Sequence, residues 1–556
     1  MADYVITVPA GPAVLRVSPA VIRRWAPWVP VAIVLCAQAI LTARLIHLST
    51  ASGDEGRYIY AGHQLIHELW HGGGSPYYET YFSGAPVIYP VLAALADHVG
   101  GLVAVRLASL AFMLTATSLL FGAGRRLFGY RAGVAAAGLF AGLGLTDDLG
   151  ALATHDALAL MLTAAAAYCA VRTPDNEPHA SRWLMAVPVM LVAANATKYA
   201  TLLFDPIVIG LASAQVAGEG WRRAAHRAVA LGATTVTLLG LAAFLAGQAY
   251  VNGILFSTLA RQTGASAVFA AQRVPVRTIV ADSWDWVGLV IVLAAGALAA
   301  ALTVRQERRR SGLLLILLLA AGVLVTVESL RLHTVESMRK HDDIGIWFTC
   351  MAAGYLLARP GALALRGRAA RAAAAALVPL GVVLSGAYYS PSAHSTYEAA
   401  TSARRMAAFA AIKPYLELPP GRYLIGGLDN EQMIYTDGLG IPWYRLFDDI
   451  YIKYPVPGRG GDSHGQVQGP ACTRLLPGCM YLEGMAGFRA AIRAHWFSLI
   501  SMVGTHGTRQ DAQLEAVVRH DPGYVLLTQL GGAPTWIYLP DYRHRGRTAR
   551  VRGSGA

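Results

Sequence analysis

Long apolar runs, separated by short polar segments, occupy most of the first 390 residues of the chain. A membrane-spanning helix needs about 20 consecutive apolar residues, and eleven of these runs meet or approach that length. We therefore predict a polytopic α-helical membrane protein with about eleven transmembrane helices. Their approximate ranges are 27–47, 102–123, 132–146, 156–171, 184–197, 199–217, 228–250, 286–304, 311–328, 345–359 and 372–389.

Arginine clusters recur at every second connection between these runs. Cytoplasmic loops carry an excess of arginine and lysine, so the clusters predict a cytoplasmic N-terminus and a C-terminus on the opposite side. A shorter apolar segment at 86–98 is predicted to be an interfacial or re-entrant helix. The connections predicted to be extracytoplasmic are 48–101, 147–155, a turn near Lys198, 251–285, 329–344 and everything after about residue 390.

The region 391–556 differs from the rest of the chain. It contains short β-like runs (YLIGGL, MIYTDGL, YVLLTQ and WIYLP), Gly/Pro turns and an amphipathic stretch from Phe488 to Ser501. This pattern predicts a small extracytoplasmic α/β domain after a transmembrane domain at 1–390. The basic segment 543–556 is predicted to be disordered.

The composition supports the membrane class and excludes another. The chain is 55% hydrophobic and 14% charged, whereas soluble domains carry about 25% charged residues. A net charge of +13 would also suit a nucleic-acid-binding protein. However, the arginines fall in short clusters between apolar runs rather than on one basic face, which excludes nucleic acid as a partner.

Five cysteines are present, and two of them lie in the polar C-terminal region. Cys472 and Cys479 are predicted to form a disulfide if that region is extracytoplasmic. No second cysteine pair accompanies them, so their spacing does not indicate a zinc site. The other three cysteines lie in apolar runs and are interpreted as packing residues.

The first predicted extracytoplasmic loop carries the acid pair Asp54-Glu55 and many aromatic residues. Two adjacent acids readily hold unequal pKa values, so one of them can act as a base. A solvated turn is the alternative interpretation of the pair. The aromatic residues are either an interfacial belt or the stacking and hydroxyl-bearing walls of a sugar site. The candidates for that wall are Tyr58, Tyr60, Tyr77, Tyr78 and Tyr81, with His155 from the next loop.

Three further polar groups are predicted to lie on the same side of the membrane. Asp156 is a second candidate acid, although an acid in a first helical turn is also an ordinary helix-start signal. Lys198 either extends to the interface or binds a phosphate. An outward basic cluster opposes the usual charge distribution and favours an anionic lipid headgroup as its ligand. That cluster consists of Arg339, Lys340 and His341, with His333 nearby.

Acids, cations and aromatic residues thus converge on one face. A base can deprotonate an acceptor hydroxyl while cations stabilise a departing phosphate. This combination favours group transfer from a membrane-anchored phosphate ester.

The order of these motifs resembles the GT-C membrane glycosyltransferases, and more narrowly the protein-mannosyltransferase and aminoarabinose-transferase group. The resemblance covers 25–215 well and 215–390 loosely. Its motifs, in chain order, are Asp54-Glu55, Tyr58, Pro86/Pro90, Gly100, Arg106, RRLFGYRAG, Asp156 and Thr197-Lys198.

The resemblance implies an inverting enzyme that uses a polyprenyl-phosphate sugar donor. It implies three catalytic residues, which are Asp54 as the base, Glu55 as its neighbour and Asp156 as a second acid that orients the acceptor or a metal. A divalent cation, if one is used, would bind at Asp54 and Asp156. Lys198 and the cluster at 339–341 would hold the lipid phosphate.

The chain lacks the long-loop insert of the protein mannosyltransferases and has a C-terminal region instead. This difference favours a cell-envelope glycan or lipid over a protein as the acceptor. Three alternatives stay open: a protein O-mannosyltransferase, a transporter or flippase for a lipid-linked sugar, and a non-catalytic assembly subunit. Transporters usually show repeated halves and helices broken at mid-membrane, and no repeated halves stand out in this sequence.

Overall fold

The computed structural model describes most of the chain, and the described part is mainly helical. The described residues are 28–47, 51, 53–72, 78, 82–174, 178–255, 273–335, 338–359, 412–416, 421–426, 445–447, 452–455, 481–502, 509–530 and 533–543. The predicted span 372–389, the cysteines of the predicted disulfide, Tyr77, Tyr81 and the terminal segment 544–556 lie outside them.

The first two helices follow from their sequence patterns. Helix α1 (Val29–Ile46) is mostly apolar and has a proline at its start, where a missing backbone N–H costs nothing. Helix α2 (Gly53–His71) is amphipathic and carries Asp54 and Glu55 in its first turn. The interpretation of these acids as a solvated turn is therefore wrong, because they begin a helix.

Helix α3 (Tyr89–Phe128) consists of two segments separated at Gly100 and Gly101, whose backbone angles are not helical. Gly101 has a φ of 62°, a conformation that residues with a Cβ rarely adopt. The first segment corresponds to the short helix predicted at 86–98, and the second corresponds to the span predicted at 102–123. The two predicted elements are thus separated by this break in the helix.

The span predicted at 132–146 is not one continuous helix. Helix α4 (Tyr130–Ala141) and helix α5 (Gly144–Ala151) are bent by 66° at the break between them. Every residue of α5 is buried, so the chain turns back into the protein there. The loop predicted at 147–155 is correspondingly shorter, since α5 occupies its first half.

The remaining membrane-region helices overlap the predicted spans, but α11 begins ten residues earlier than predicted and α13 begins seven residues earlier. Five described helices are long and apolar enough to cross a membrane, or six if the bent pair α4–α5 is one span. The predicted number of eleven is not reached by this criterion within the described residues, because several predicted spans are short. The further helices are α6 (His155–Ala170), α7 (Ala180–Thr197), α8 (Asp205–Ala214, after a 3₁₀ helix at Tyr199–Phe204), α9 (Trp221–Ala246), α10 (Gln248–Leu255), α11 (Val276–Thr303), α12 (Arg305–Leu332) and α13 (Met338–Leu357).

Helix α13 lies at the centre of the helical region, where it packs against α4, α11 and α12. Small residues allow these close approaches, as in other membrane helix bundles. A Cβ added at Gly354 would lie 2.5 Å from the carbonyl oxygen of Ala132, and one at Gly345 would lie 2.6 Å from that of Ala321. This packing fixes the first turn of α13, which carries Lys340, relative to the other helices.

The C-terminal region contains a five-stranded mixed sheet of order β2-β1-β5-β7-β6. Three of the predicted β-like runs form strands β1, β6 and β7, and MIYTDGL lies outside the described residues. The predicted amphipathic stretch forms the end of a helix, followed by strand β5. The elements are β1 (Tyr423–Ile425), β2 (Leu446–Phe447), β3 (Lys453–Pro455), β4 (Tyr481–Glu483), α14 (Gly484–Arg493), β5 (Leu499–Ser501), α15 (Arg509–Arg519), β6 (Tyr524–Leu530), β7 (Ala533–Tyr538) and α16 (Leu539–Arg543).

Candidate functional site

Asp54 and Lys340 form an ion pair between the first turns of α2 and α13. The Asp54 side chain is 45% exposed and that of Lys340 is 25% exposed, so the pair lies at an accessible position. The Lys340 ammonium group lowers the pKa of Asp54 to about 2, against the opposing effect of burial. Asp54 is therefore ionised over the whole physiological range.

Asp156 and Lys198 form a second ion pair. Asp156 lies in the first turn of α6, and Lys198 lies in the turn between α7 and the 3₁₀ helix that follows. Both side chains are almost completely buried. A buried charge is strongly destabilising without its partner, so each residue of this pair depends on the other.

The two ion pairs belong to one site. Lys340 interacts electrostatically with Asp156 as well as with Asp54, and Lys198 interacts with Asp54 as well as with Asp156. Four residues from four separate helices or turns therefore combine two negative and two positive charges. An anionic ligand entering this site would meet two ammonium groups whose present partners are carboxylates.

Aromatic rings form a wall beside the acids. The ring of Tyr58 lies 5.2 Å from that of Phe82, 5.8 Å from that of Tyr89 and 4.6 Å from that of His155, measured between centroids. Burial, and secondly the negative charge of Asp54, raise the pKa of Tyr58, so it stays a neutral hydroxyl group. His155 Nε2 lies 3.5 Å from Ser83 Oγ.

Two more of the described aromatic candidates are buried like Tyr58 and His155. Tyr78 is buried and stacks on Phe82, with ring centroids 5.0 Å apart. Tyr60 is completely buried. Among the described aromatic candidates, Tyr58 and His155 interact electrostatically with both Asp54 and Asp156.

Glu55 points away from this site and into the protein. Both of its carboxylate oxygens accept hydrogen bonds from Arg106, at 2.9 Å each. Sequence reasoning placed Arg106 in a span without giving it a partner. An arginine inside an apolar run was the available signal, because such residues are costly in a membrane and are usually paired.

The predicted basic cluster at 339–341 is divided by the structure. Lys340 contacts Asp54, whereas the Arg339 guanidinium lies over the Trp286 ring, 5.0 Å from its centroid. Arg339 also interacts electrostatically with Asp148. His341 is half-buried in the same turn.

A backbone connection holds Lys198 against the segment that follows α2. The Ala85 N–H donates to the Ala196 carbonyl at 2.6 Å, and the Tyr199 N–H donates to the Ser83 carbonyl at 2.8 Å. A Cβ added at Gly84 would lie 1.9 Å from the Thr197 carbonyl oxygen. Close approach of these two segments therefore requires glycine at position 84.

Four more buried acids lie in α5 and near the start of α13, and they are arranged differently. Thr42 Oγ1 donates to Asp147 at 3.1 Å, and Thr146 Oγ1 donates to Asp343 at 3.1 Å. Within the described ranges, no group of three or more His, Cys, Asp or Glu side chains is placed to hold a metal ion. The described geometry at Asp54 and Asp156 instead pairs each acid with a lysine. The other two of these four acids are Asp148 and Asp342.

The family model described as dolichyl-phosphate-mannose-protein mannosyltransferase matches residues 85–246. This range contains the second acid and the Thr-Lys turn on which the resemblance rested. The resemblance to GT-C glycosyltransferases is thereby confirmed. No curated protein sequence matches the chain.

Solved structures of ArnT from Cupriavidus metallidurans share the fold. The apo structure aligns with a TM-score of 0.53 at 15% identity, covering 92% of this chain and 98% of that protein. ArnT bound to undecaprenyl phosphate aligns with a TM-score of 0.53 at 16% identity, covering 91% and 97%. The mycobacterial arabinofuranosyltransferase AftD aligns with a TM-score of 0.48 at 14% identity, covering 93% of this chain and 40% of that protein.

Proposed function

We propose that the protein is an inverting membrane glycosyltransferase that transfers a sugar from a polyprenyl-phosphate donor to an extracytoplasmic glycan or lipid acceptor. The observation that carries the proposal is the convergence of the pairs Asp54–Lys340 and Asp156–Lys198 on one site. A related fold is known with undecaprenyl phosphate bound, in ArnT. The match to a mannosyltransferase family model supports the same class of reaction.

In the proposed reaction Asp54 is the base. Its carboxylate takes the proton of the acceptor hydroxyl while the acceptor oxygen forms a bond to the anomeric carbon. The bond between that carbon and the phosphate oxygen breaks, and its electron pair leaves with the polyprenyl phosphate. Attack from the side opposite the phosphate inverts the anomeric configuration.

The lysines supply the cations for the leaving group. A donor phosphate competes with the two carboxylates for Lys198 and Lys340, because all of them are anions that accept charged hydrogen bonds. When Lys340 turns to the phosphate, the pKa of Asp54 is no longer held down by its main cause. Asp54 then becomes a stronger base, since a base with a higher pKa accepts a proton more readily.

The other acid is proposed to orient the acceptor. Asp156 lies one residue beyond His155, whose ring packs on Tyr58. Together with the Tyr58 ring and the Ser83 hydroxyl, these groups offer stacking and hydrogen-bonding surfaces to a sugar. The proposed sugar site thus combines an aromatic wall with a few polar groups, as specific small-molecule sites do.

Two measurements on the purified protein test this function. The first is binding of undecaprenyl phosphate, which should weaken in Lys198→Ala but not in the exposed-surface control Arg223→Ala. The second is release of undecaprenyl phosphate from a panel of undecaprenyl-phosphate sugars in the presence of cell-envelope glycan and lipid extracts. Binding without release from any donor would favour the transporter, and transfer to a peptide would favour the protein O-mannosyltransferase.

A further inference from the structure

Glu55 and Arg106 form a buried ion pair next to the site but outside the ligand's reach. Arg106 Nε donates to Glu55 Oε1 and Arg106 Nη2 donates to Glu55 Oε2, both at 2.9 Å. The two side chains are 0% and 1% exposed, respectively. A carboxylate whose two oxygens are both engaged by one guanidinium has little capacity to accept a substrate proton.

The same pair binds two backbone groups. The Ala153 N–H donates to Glu55 Oε1 at 2.7 Å, and Arg106 Nη1 donates to the Ile46 carbonyl at 2.9 Å. Four chain segments therefore meet at one ion pair. They are the end of α1, the first turn of α2, the second segment of α3 and the turn before α6.

Two of these segments carry the acids of the site. Asp54 directly precedes Glu55 in the first turn of α2, and Asp156 follows Ala153 by three positions. The Ala153 N–H donates a hydrogen bond to the Glu55 carboxylate. A shift of the first turn of α2 relative to the turn before α6 would therefore break a buried hydrogen bond. Leaving such a group without a partner is costly.

We propose that Glu55 and Arg106 are positioning residues, which set the separation and mutual orientation of Asp54 and Asp156. The proposal rests on the proposed function and deepens it, by giving the second acid of the Asp54-Glu55 motif a role distinct from proton transfer. Arg106 Nε and Nη2 donate to the two Glu55 carboxylate oxygens, and Arg106 Nη1 donates to the Ile46 carbonyl. Lysine cannot replace the planar guanidinium group, which holds these donors in a fixed geometry.

Charge-preserving variants separate geometry from charge. Glu55→Asp withdraws the carboxylate by one methylene, and Arg106→Lys replaces three placed donors with one ammonium group. A misplacement of about 1 Å at a reacting group costs on the order of 100-fold in rate. We expect both variants to lose about 10- to 100-fold in turnover per undecaprenyl-phosphate-binding site, since the lysines that hold the phosphate are unchanged.

Turnover per binding site is the decisive quantity. Dividing the rate by the number of undecaprenyl-phosphate-binding sites removes the contribution of molecules whose donor site is not intact. A merely structural role would reduce the number of binding sites and leave turnover per site at the wild-type value. Amide hydrogen exchange of the peptide containing Ala153, followed by mass spectrometry, gives a second readout that needs no substrate. Faster exchange at Ala153 is expected in both variants.

Ser283→Ala is the matched control. Ser283 Oγ and Thr326 Oγ1 form a partly buried side-chain contact between α11 and α12, at 2.6 Å. This variant should keep the wild-type turnover per site and the wild-type exchange at Ala153.

The outcomes also separate this inference from the proposed function. Wild-type protein that neither binds undecaprenyl phosphate nor releases it from any donor would remove the function. An active wild type together with Glu55→Asp and Arg106→Lys variants that match Ser283→Ala in turnover per site would remove the positioning role alone. Unchanged exchange at Ala153 in both variants would also overturn it.

Discussion

The Lys340 ammonium group donates to the Asp54 carboxylate across 286 positions of sequence. Each residue lies in the first turn of its helix, so two helix starts face each other at the site. Each helix start carries partial positive charge, which favours an ionised carboxylate nearby. The pair therefore keeps Asp54 charged and also keeps Lys340 near the position where a donor phosphate would bind.

Asp54→Asn should abolish the proposed base without changing the shape of the side chain. We expect turnover to fall by about 10²–10⁴-fold, the usual contribution of a general base, which corresponds to about 3–5 kcal/mol of barrier. Undecaprenyl-phosphate binding should persist, because the phosphate contacts come from the lysines. Initial rates and binding isotherms measured on the same preparation check both parts.

Asp97→Asn provides the matched control for Asp54→Asn. Asp97 lies in the first segment of α3 and is partly exposed. Its Oδ2 atom lies 2.8 Å from Nε2 of His63 in α2. Its change to an amide should leave turnover near the wild-type value. Near-normal turnover in Asp54→Asn would mean that Asp54 is not the base.

Lys340→Gln should move the acid limb of the pH–rate profile upward. The pKa of Asp54 is about 2 mainly because of Lys340. Without Lys340 it should rise towards or above its ordinary value of 3.8, since burial opposes ionisation and Arg57 supplies a smaller positive charge. A base is lost as pH falls through its pKa, so the variant should lose activity at a higher pH than the wild type.

The ratio kcat/KM for the donor, measured from neutral to acidic pH, reveals this shift, because it reports the pKa values of the free enzyme, in which Lys340 still contacts Asp54. Arg223→Gln breaks the surface ion pair with Glu219 and should keep the wild-type profile. Identical acid limbs in Lys340→Gln and the wild type would show that Asp54 does not govern the pH dependence.

Gly84→Ala should displace Lys198 by steric conflict alone. The new Cβ would lie 1.9 Å from the Thr197 carbonyl oxygen, so one of the two segments must move. We expect weaker undecaprenyl-phosphate binding and a lower melting temperature. In Gly240→Ala, where the added Cβ has no neighbour within 4 Å, melting should be unchanged or slightly higher because alanine favours the helix.

The alternating arginine clusters predict that residues 391–556 lie outside the cytoplasm. In a variant without the native cysteines, His520→Cys should react with a membrane-impermeant maleimide in intact cells. Arg126→Cys, in a predicted cytoplasmic cluster, should react only after permeabilisation. Both side chains are exposed in the structure, so a reversed pattern would place the whole site on the opposite side.

Cys472 and Cys479 are predicted to form a disulfide. Closing so short a loop should stabilise the region by about 2–3 kcal/mol. Peptide mass spectrometry of freshly purified, alkylated protein should find the two residues joined. Two alkylated thiols would contradict the prediction.

The sequence indicated the helices well because apolar runs of a given length are local features. Asp54, Asp156, Lys198 and Lys340 were each singled out from their positions at the ends of such runs. Their pairing was not predicted, since the partner of Asp54 is 286 residues away. Hydrophobic periodicity identifies faces and ends of helices, whereas the choice of partner depends on how the helices pack.

Two local features were also missed for physical reasons. Helix α2 was interpreted as a loop because its polar residues lower its mean hydropathy below that of a membrane-spanning helix. The bend between α4 and α5 follows from Gly142 and Leu143, but glycine is frequent throughout this chain, so one glycine gave little signal. Glu55 was assigned a chemical role because its partner Arg106 could be placed opposite it only in three dimensions.

The two lysine–carboxylate pairs also bear on how the proposed reaction cycle ends. After transfer, the polyprenyl phosphate carries more negative charge than the donor did, and cations alone would retain it strongly. Asp54 and Asp156 lie within reach of the same ammonium groups and compete for them. Once Asp54 has released the acceptor's proton to water, recapture of the lysines by the two carboxylates would help to expel the spent lipid carrier, so the same ion pairs would also promote product release.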